Sequence, residues 1–388
     1  MGNNPLYEII YSHLRAQIDS GQLAIGDRLP TERELSKQFS VSRITAQKAL
    51  EKLHVEGTIS RHPGRGSFVI RQTAPPAAES TGGALGAGTL IGLVLPELGE
   101  SYGLRLLSGI ERSADDNDLL LAVCRSYGRQ DAEVRAMRRL LALGVKGLIV
   151  FPVNGEHYNP EILRLHVEGF PLVLVDKYLP GVPVCSVSTD NRDAAEHLVR
   201  HIVELGHRNI GFCSPPPNNT VTLEDRWDGF TSALEDSRIR FQPDWSLTDL
   251  PSEMPNADNA GYRQEHNDML TRYLLEHREL TAVVATEFQA AAHILQTARQ
   301  IGLRVPEDLS IACFDSPSSR FLGWQFTHIR QDEETMGNKA VEILREQIET
   351  RADEQLETAS VSLGAKLVIG DSTAPPKEYE IKRISAGE

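Results

Sequence analysis

Residues 26–69 read GDRLPTERELSKQFSVSRITAQKALEKLHVEGTISRHPGRGSFV. Within this stretch, Thr31 and Glu34 stand three residues apart in the order of a capping box, which predicts a helix that ends near Phe39. A tight turn then leads to Ser42, a second residue of the type that caps helices. The spacing therefore predicts two short helices joined by a turn.

The remainder of the stretch completes a small domain. The helix capped by Ser42 is predicted to run to about Glu56 and to bury a stripe formed by Ala46, Ala49, Leu50 and Leu53. Residues 6–18, upstream, place apolar side chains on one face of a further helix. Two short β runs, at 58–61 and 67–70, flank the sequence HPGRG. Three helices followed by a glycine-rich hairpin indicate a winged helix-turn-helix domain.

The polar face of the predicted third helix is rich in hydrogen-bond donors. Such a face suits the edges of bases in a major groove, although a charged helix face is also compatible with simple solvation. The candidates there are Arg43, Thr45, Gln47 and Lys48. The hairpin is predicted to track the minor groove or the phosphates, with candidates Arg61, Gly64, Arg65 and Gly66.

The motifs GDRLPTERELSKQFSVSR, KALEKLHVEGTISR and GRGSFV resemble the GntR family of bacterial winged-helix regulators over about residues 5–70. The resemblance implies DNA contacts from Arg33, Ser42, Arg43, Thr45 and the wing around Gly64–Gly66. The family usually carries arginine where this chain has Gln47. Because glutamine pairs bidentately with adenine and arginine with guanine, we expect an adenine at that operator step.

Charge is distributed unevenly along the 388 residues. The chain has a net charge of −14, yet residues 1–72 carry ten basic and seven acidic side chains, a balance of +3. This asymmetry is typical of DNA binding by one end. We predict a DNA-binding domain at 1–72, a flexible Pro/Gly/Ala-rich linker at 73–88 and an effector-binding and dimerisation domain at 89–388.

The sequence also disfavours several classes of protein. It shows no secretion signal at the N-terminus and no apolar run long enough to span a membrane. The four cysteines lack metal-ligand spacing and are expected to be small core residues in a reducing compartment. A cytoplasmic protein with no membrane association is therefore expected.

From residue 89 onward, apolar β runs alternate with helical patterns. This alternation predicts an α/β body with parallel sheets covered on both faces, and its length favours two lobes. The β runs are TLIGLVL (89–95), LLLAVC (119–124), GLIVF (147–151), PLVLV (171–175), NIGFC (209–213), TAVVA (281–285) and LSIACF (309–314), with helices expected at 105–117, 129–143, 191–205, 226–236 and 287–301.

Ligands of open α/β sheets bind beyond the carboxyl ends of the strands. Polar residues at those ends and at nearby helix starts predict an effector site of acids, amides and an arginine, which suits a polyhydroxylated ligand. The candidates are Asp190, Arg226, Glu287 and Asp315, with Tyr102 and Trp324 for stacking on a sugar, and, less favoured, Glu97, Arg125 and Lys177. Asp176 and Gln289 belong to the same polar set. Asp190 also fits a helix cap, Arg226 a structural ion pair, and the two aromatic residues core positions.

The segments VDKYLPG, VSTDNRDAAEHLVRHIVELGHRNIGF, RWDGF, GLRVPEDLSIACFDS and FTHIRQDEETMGNKAVEIL resemble the effector domain of LacI-type repressors and periplasmic sugar-binding proteins over about 89–371. The resemblance implies effector contacts at Asp190, Arg226 and Asp315. Glu287–Phe288 departs from the family's usual Asn-Asp, so the preferred ligand is expected to offer more hydroxyl donors there. A GntR-type head on such a body is similar to the arabinose-responsive repressors.

These features predict a homodimeric repressor of carbohydrate-utilisation genes that a sugar releases from double-stranded operator DNA. One alternative is a regulator, either an activator or a repressor, that responds to a non-sugar small molecule. The other is a cytoplasmic sugar-binding protein. A metal site formed by His197, His201 and His207 is disfavoured, because HLVRH lacks the glutamate of a zinc protease. Without a nucleophile elbow or a phosphate-binding loop, the chain is predicted to be no enzyme and to need no cofactor.

Overall fold

The computed structural model describes residues 6–19, 22–24, 26–39, 41–55, 58–62, 66–69, 88–96, 98–153, 158–217, 220–250, 260–317, 323–350 and 360–377. The chain divides into two compact units, Met1–Thr81 and Gly82–Glu388. We call them the head and the body. Most of the predicted linker lies outside the described residues. No helix in the described ranges is long and apolar enough to cross a bilayer.

The described part of the head contains three helices and a two-stranded antiparallel hairpin, as predicted. These are α1 (Leu6–Asp19), α2 (Glu32–Gln38), α3 (Arg43–Val55), β1 (Ile59–His62) and β2 (Gly66–Val69). One core joins them, because the predicted stripe of α3 packs against the apolar face of α1. Its fully buried members include Ile10, Leu14, Ile18, Leu35, Ala46, Ala49, Leu50, Leu53 and Ile59.

The predicted capping box fixes the start of α2. The backbone N–H of Thr31 donates to Glu34 Oε2 at 2.7 Å, and the N–H of Glu34 donates to Thr31 Oγ1 at 3.3 Å. Each residue thus satisfies a backbone donor that the helix itself leaves unpaired. The backbone N–H and the hydroxyl of Thr31, which both donate to the Glu34 carboxylate, lower the pKa of Glu34.

The body is built from two lobes, each with a six-stranded sheet in the described residues. Lobe 1 has the strand order β13-β7-β6-β5-β3-β4, with all neighbours parallel. Its strands are β3 (Thr89–Leu95), β4 (Leu119–Arg125), β5 (Leu148–Val150), β6 (Leu172–Val175), β7 (Cys185–Thr189) and β13 (Ser360–Leu363), and its helices are α4 (Leu104–Asp116), α5 (Gln130–Ala142), α6 (Pro160–Val167) and α11 (Glu333–Glu349).

Lobe 2 repeats this architecture with the order β14-β12-β11-β10-β8-β9, in which only β14 is antiparallel to its neighbour. Its strands are β8 (Ile210–Cys213), β9 (Ser246–Leu247), β10 (Ala282–Ala285), β11 (Ser310–Phe314), β12 (Thr327–Arg330) and β14 (Lys366–Val368); its helices are α7 (Asn191–Glu204), α8 (Val221–Asp236), α9 (Ala260–Glu276) and α10 (Phe288–Gln300), with a 3-10 turn at Pro243–Trp245. The parallel two-lobed body is therefore confirmed.

Two details differ from the sequence-based expectation. The run at 119–124 was expected to be buried on both faces, but β4 is an edge strand that exposes Leu120 and Val123 by 56% and 44%. Apolar content alone does not tell an edge strand from a central one. The helix expected at 226–236 begins earlier, at Val221, with Thr220 as the residue that precedes its first turn.

In the described residues the chain passes between the lobes three times. It crosses from β7 to α7, from β12 to α11, and from β13 to β14. The backbone N–H of Asp190, on the first crossing, donates to the carbonyl of Leu363, at the third, at 2.9 Å. These short connections are hinge positions for a motion of one lobe against the other.

Candidate functional sites

The start of α3 presents an exposed polar surface. Ser42 Oγ accepts the backbone N–H of Thr45 at 3.2 Å and so caps the helix. The Arg43 side chain is 77% exposed, and Gln47 and Lys48 are exposed on the same helix. This geometry suits entry into a major groove with donors directed at base edges.

Ile44 was missed by sequence reasoning. Its side chain is 68% exposed among these polar residues. The signal for it was a large aliphatic residue outside the buried stripe of α3. Apolar contact with a thymine methyl group is the base recognition that such a side chain can offer.

Glu32 connects α3 to the wing. Its Oε2 accepts a hydrogen bond from Arg43 Nε at 3.1 Å, and its Oε1 accepts one from Arg61 Nη2 at 2.7 Å. Arg61 also donates to Glu51 at 2.6 Å and is only 26% exposed. Arg61, a predicted phosphate contact, is therefore paired with two carboxylates inside the head.

The other predicted contacts in the head differ in their surroundings. Arg33 is exposed on α2 and has no ion pair among the described residues. Gly66 adopts φ +111°, and a Cβ there would meet the Arg28 side chain at 2.8 Å, so only glycine fits without displacing that arginine. Gly64 and Arg65 lie outside the described residues.

A cavity of about 510 Å³ lies at the carboxyl ends of the strands of both lobes. Its size falls in the range of small-molecule sites. The predicted residues Tyr102, Lys177, Arg226, Glu287 and Asp315 all line it. Asp176 and Gln289, which belong to the polar set predicted at strand ends and helix starts, line it as well. Residues that were not proposed as contacts also line it, namely Leu98, Phe151, Val153, Leu223, Phe288 and Gln331.

The wall from lobe 1 centres on Asp176, which directly follows β6. Its Oδ1 accepts the hydroxyl of Tyr102 at 2.5 Å. Burial, reinforced by the Asp176 charge, raises the pKa of Tyr102 well above its ordinary value, so this phenol is a donor at neutral pH. The Lys177 ammonium donates to the carbonyl of Pro152 at 2.9 Å and lies 5.1 Å from the centre of the Phe151 ring. Burial lowers the pKa of Lys177.

The wall from lobe 2 is organised around Arg226 of α8. Its Nε donates to Asn191 Oδ1 at 2.8 Å, and its Nη1 donates to the carbonyl of Thr286 at 2.6 Å. The guanidinium also lies 3.9 Å from the centre of the Phe314 ring. Three contacts therefore fix the orientation of this cation at the cavity.

Asp315 follows β11 in lobe 2 as Asp176 follows β6 in lobe 1. Both adopt left-handed backbone, with φ +59° and +69°, which is uncommon for residues other than glycine. Gln331 Nε2 donates to Asp315 Oδ2 at 2.9 Å. Burial raises the pKa of Asp315 to about 7, against the opposing effect of Arg226. Each lobe thus directs a carboxylate that directly follows a strand to the cavity, and in each case a neutral side chain donates a hydrogen bond to that carboxylate.

Three further candidates lie outside the described lining of the cavity. Asp190 is exposed and accepts the backbone N–H of Asp193 at 3.0 Å, the helix-cap alternative considered from sequence. Trp324 packs edge to face on Phe326 instead. Arg125 is exposed beside the Tyr127 ring. Glu97 falls outside the described residues.

Two of the three histidines considered as metal ligands bond to other protein groups. His197 pairs with Asp193 of the same helix at 3.2 Å. His207 contacts the hydroxyl of Thr281 and the carbonyl of Ala374, both at 2.9 Å, and burial lowers its pKa to about 4. Among the described residues, no group of three or more His, Cys, Asp or Glu side chains is placed to hold a metal ion.

The head and the body each match a different family of known proteins. Residues 6–69 match the model of the bacterial regulatory proteins of the gntR family, and residues 199–373 match the periplasmic binding protein-like domain. A helix-turn-helix head and a two-lobed body with a cavity define the class of ligand-responsive, DNA-binding transcription regulators. The chain belongs to the HTH-type bacterial transcriptional regulators, with a GntR-type head and a periplasmic-binding-protein-like body.

Similar proteins support this placement. The arabinose metabolism transcriptional repressor of Geobacillus stearothermophilus is 26% identical over 374 residues, 95% of this chain and 98% of that protein. The HTH-type transcriptional regulator MalR of Streptomyces coelicolor is 31% identical over 267 residues, 67% of this chain and 74% of the relative. A LacI family regulator from Mycobacterium smegmatis has a solved structure that is 26% identical, with a TM-score of 0.59 over 74% of this chain and all of that one.

Proposed function

We propose that this regulator represses genes of carbohydrate utilisation and leaves its operator when a saccharide occupies the cavity. The observation that carries the proposal is the pairing of buried carboxylates and a fixed guanidinium at one cavity, because these groups complement hydroxyl donors and acceptors on a sugar. A relative that resembles the chain along nearly its whole length is named as a repressor of arabinose metabolism. Since its target is chromosomal DNA, the protein would act in the cytoplasm.

The proposed site consists of Asp176, Arg226 and Asp315, with Tyr102 and Glu287 beside them. Each carboxylate that accepts one bond from the protein retains acceptor capacity for ligand hydroxyls. Asp190 and Trp324 would act indirectly, since Asp190 caps α7 at a lobe crossing and Trp324 supports the aromatic packing of lobe 2. We propose that the protein catalyses no reaction. The relatives are regulators, and Arg226, the cation of the site, is held in place by hydrogen bonds to Asn191 and Thr286.

The function can be tested by a thermal-shift screen of monosaccharides and disaccharides, followed by operator binding with and without each hit. A ligand at 100 times its Kd should raise stability by about 2.7 kcal/mol. A hit that also weakens operator binding supports the proposal. Stabilisation by non-sugar metabolites alone would favour the alternative that the regulator responds to a ligand other than a sugar.

The protein is proposed to act as a homodimer. Two heads are needed to cover the two half-sites of a near-palindromic operator. The exposed apolar edge of β4, with Leu120 and Val123, supports an interface there because such edges are normally covered. We expect sedimentation to give twice the chain mass of 42.9 kDa.

Leu120→Glu should shift that equilibrium toward monomer, because a carboxylate would be desolvated at the interface. Leu275→Glu is the matched control, since Leu275 is a similarly exposed leucine, at 43%, on α9 of the other lobe. A monomeric wild-type protein at operator-binding concentrations would refute the dimer.

Gln47→Arg should change base preference at one operator step from adenine to guanine. The exposed amide at this position can pair with adenine N6 and N7, whereas a guanidinium pairs with guanine O6 and N7. Discrimination of about 1–3 kcal/mol is expected at that step alone. Binding to a library randomised at each operator position measures it, and an unchanged preference would show that Gln47 does not read a base.

A further inference from the structure

Three aromatic rings of lobe 2 pack edge to face and end at the cavity. The Trp324 and Phe326 rings lie 4.8 Å apart at an interplanar angle of 75°. The Phe326 and Phe288 rings lie 5.9 Å apart at 83°. Phe326 is buried, whereas Phe288 is half-buried and lines the cavity. Phe288 is therefore the ring of this row that offers surface to a ligand.

The position of Phe288 is constrained by its neighbours. It is the first residue of α10 and also packs against the apolar core of lobe 2. Because Phe326, itself braced by Trp324, supports the ring, little side-chain freedom is left for a ligand to remove. A pre-ordered apolar surface of this kind favours an apolar ligand group at low entropic cost.

The cavity has polar and apolar parts. Charged groups come from both lobes, at Asp176 and Lys177 in lobe 1 and at Arg226, Glu287 and Asp315 in lobe 2. Apolar side chains also come from both lobes, namely Leu98, Phe151 and Val153 from lobe 1 and Leu223 and Phe288 from lobe 2. A ligand that satisfies both parts must carry hydroxyl groups and a patch of carbon surface.

Building on the proposed function, we propose that Phe288 selects saccharides that place an apolar carbon group against its ring. That group is a deoxy methyl carbon or the aglycone of a glycoside. A hydroxyl held against the ring would exchange its water for a surface that cannot accept its hydrogen bond equally well. A methyl or aryl group gains contact at the same point, so discrimination of roughly tenfold or more is expected.

Calorimetry on the full-length protein with matched saccharide pairs tests this inference. D-Fucose against D-galactose and L-rhamnose against L-mannose differ only by the hydroxyl at carbon 6. Phenyl against methyl β-D-galactopyranoside tests the aglycone. We expect the more apolar member of at least one pair to bind roughly ten times more tightly. The pair that discriminates identifies which apolar group the ring contacts.

Substitutions of Phe288 test whether its ring causes that preference. Phe288→Ala should bring the two affinities of the discriminating pair close to equality, and Phe288→Leu should retain part of the preference if the alanine variant folds poorly. Trp324→Phe is the control and should keep the preference, because Trp324 supports the row without lining the cavity.

A preference unchanged in Phe288→Ala, or saccharide binding without discrimination in any pair, would overturn this inference and leave the proposed function standing. Absence of binding by every saccharide would overturn both.

Discussion

Arg43→Ala is expected to abolish specific operator binding while leaving ligand binding to the body intact. The Arg43 side chain is 77% exposed at the start of α3, the part of a recognition helix that contacts base edges in helix-turn-helix proteins. A bidentate arginine–guanine contact contributes about 1–3 kcal/mol of discrimination, and the two heads of the proposed dimer would lose it twice, so operator affinity should fall roughly 30-fold or more. Fluorescence anisotropy with an operator duplex measures the loss.

The structure also explains why this variant should fold. Removing Arg43 leaves Glu32 paired with Arg61 at 2.7 Å, so no carboxylate loses its last partner. Arg135→Ala in the body removes the same charge from an exposed i,i+4 pair and controls for nonspecific electrostatics. If Arg43→Ala bound the operator as well as Arg135→Ala, the proposed reading surface would be incorrect.

Asp315→Asn is expected to weaken saccharide binding roughly 10- to 100-fold, since hydrogen bonds to a charged group contribute about 1.5–3 kcal/mol. The amide can still accept the hydrogen bond from Gln331, so the local structure should persist. Asp190→Asn is the matched control, because asparagine caps a helix as well as aspartate does and Asp190 lies outside the described cavity lining. Loss of binding in Asp190→Asn but not in Asp315→Asn would reverse this assignment.

The same carboxylate should make ligand binding depend on pH. Burial raises the pKa of Asp315 to about 7, so in the ligand-free protein it is largely protonated at pH 6 and largely ionised at pH 8. If ligand hydroxyls donate to the ionised form, affinity should rise between these pH values in wild type and stay flat in Asp315→Asn. Equal pH profiles in the two proteins would contradict this role.

The contribution of Asp315 to the free energy of unfolding should change with pH in the opposite direction, falling as the pH rises. The folded pKa of Asp315 lies above its ordinary value of 3.8, so the folded state binds the proton more tightly. The contribution of this group to the free energy of unfolding is therefore complete below about pH 4 and is lost as the pH rises through about 7. Comparing unfolding of wild type and Asp315→Asn over that range isolates the effect.

Much of the fold followed from local patterns. The capping box at Thr31, the buried stripe of α3 and the continuous apolar runs of the body each specify an element through short-range chemistry. The exposure of Leu120 on β4 did not follow, because strand order is set by packing between distant segments. The pairing of Arg61 with Glu32 could not be predicted for the same reason, since 29 positions separate the two residues.

The site was predictable where its residues directly follow the carboxyl ends of parallel strands. Asp315 and Lys177 were found because parallel strands deliver their carboxyl ends to one edge of a sheet. Asp190 and Trp324 were proposed by residue type and resemblance, and neither belongs to the described lining of the cavity. Phe288 departs from the family pattern in the sequence, but its place in the lining of the cavity depends on packing between distant segments that the sequence does not reveal.

A pair of reciprocal titrations on the purified full-length protein tests most directly whether the cavity controls operator binding. Operator affinity is measured with and without a saturating saccharide identified by the thermal screen, and saccharide affinity with and without operator. Because allosteric coupling between two binding sites is reciprocal, we expect both affinities to fall by the same factor, roughly 5- to 150-fold. An operator affinity unchanged at saturating saccharide would contradict the claim that the cavity controls the head.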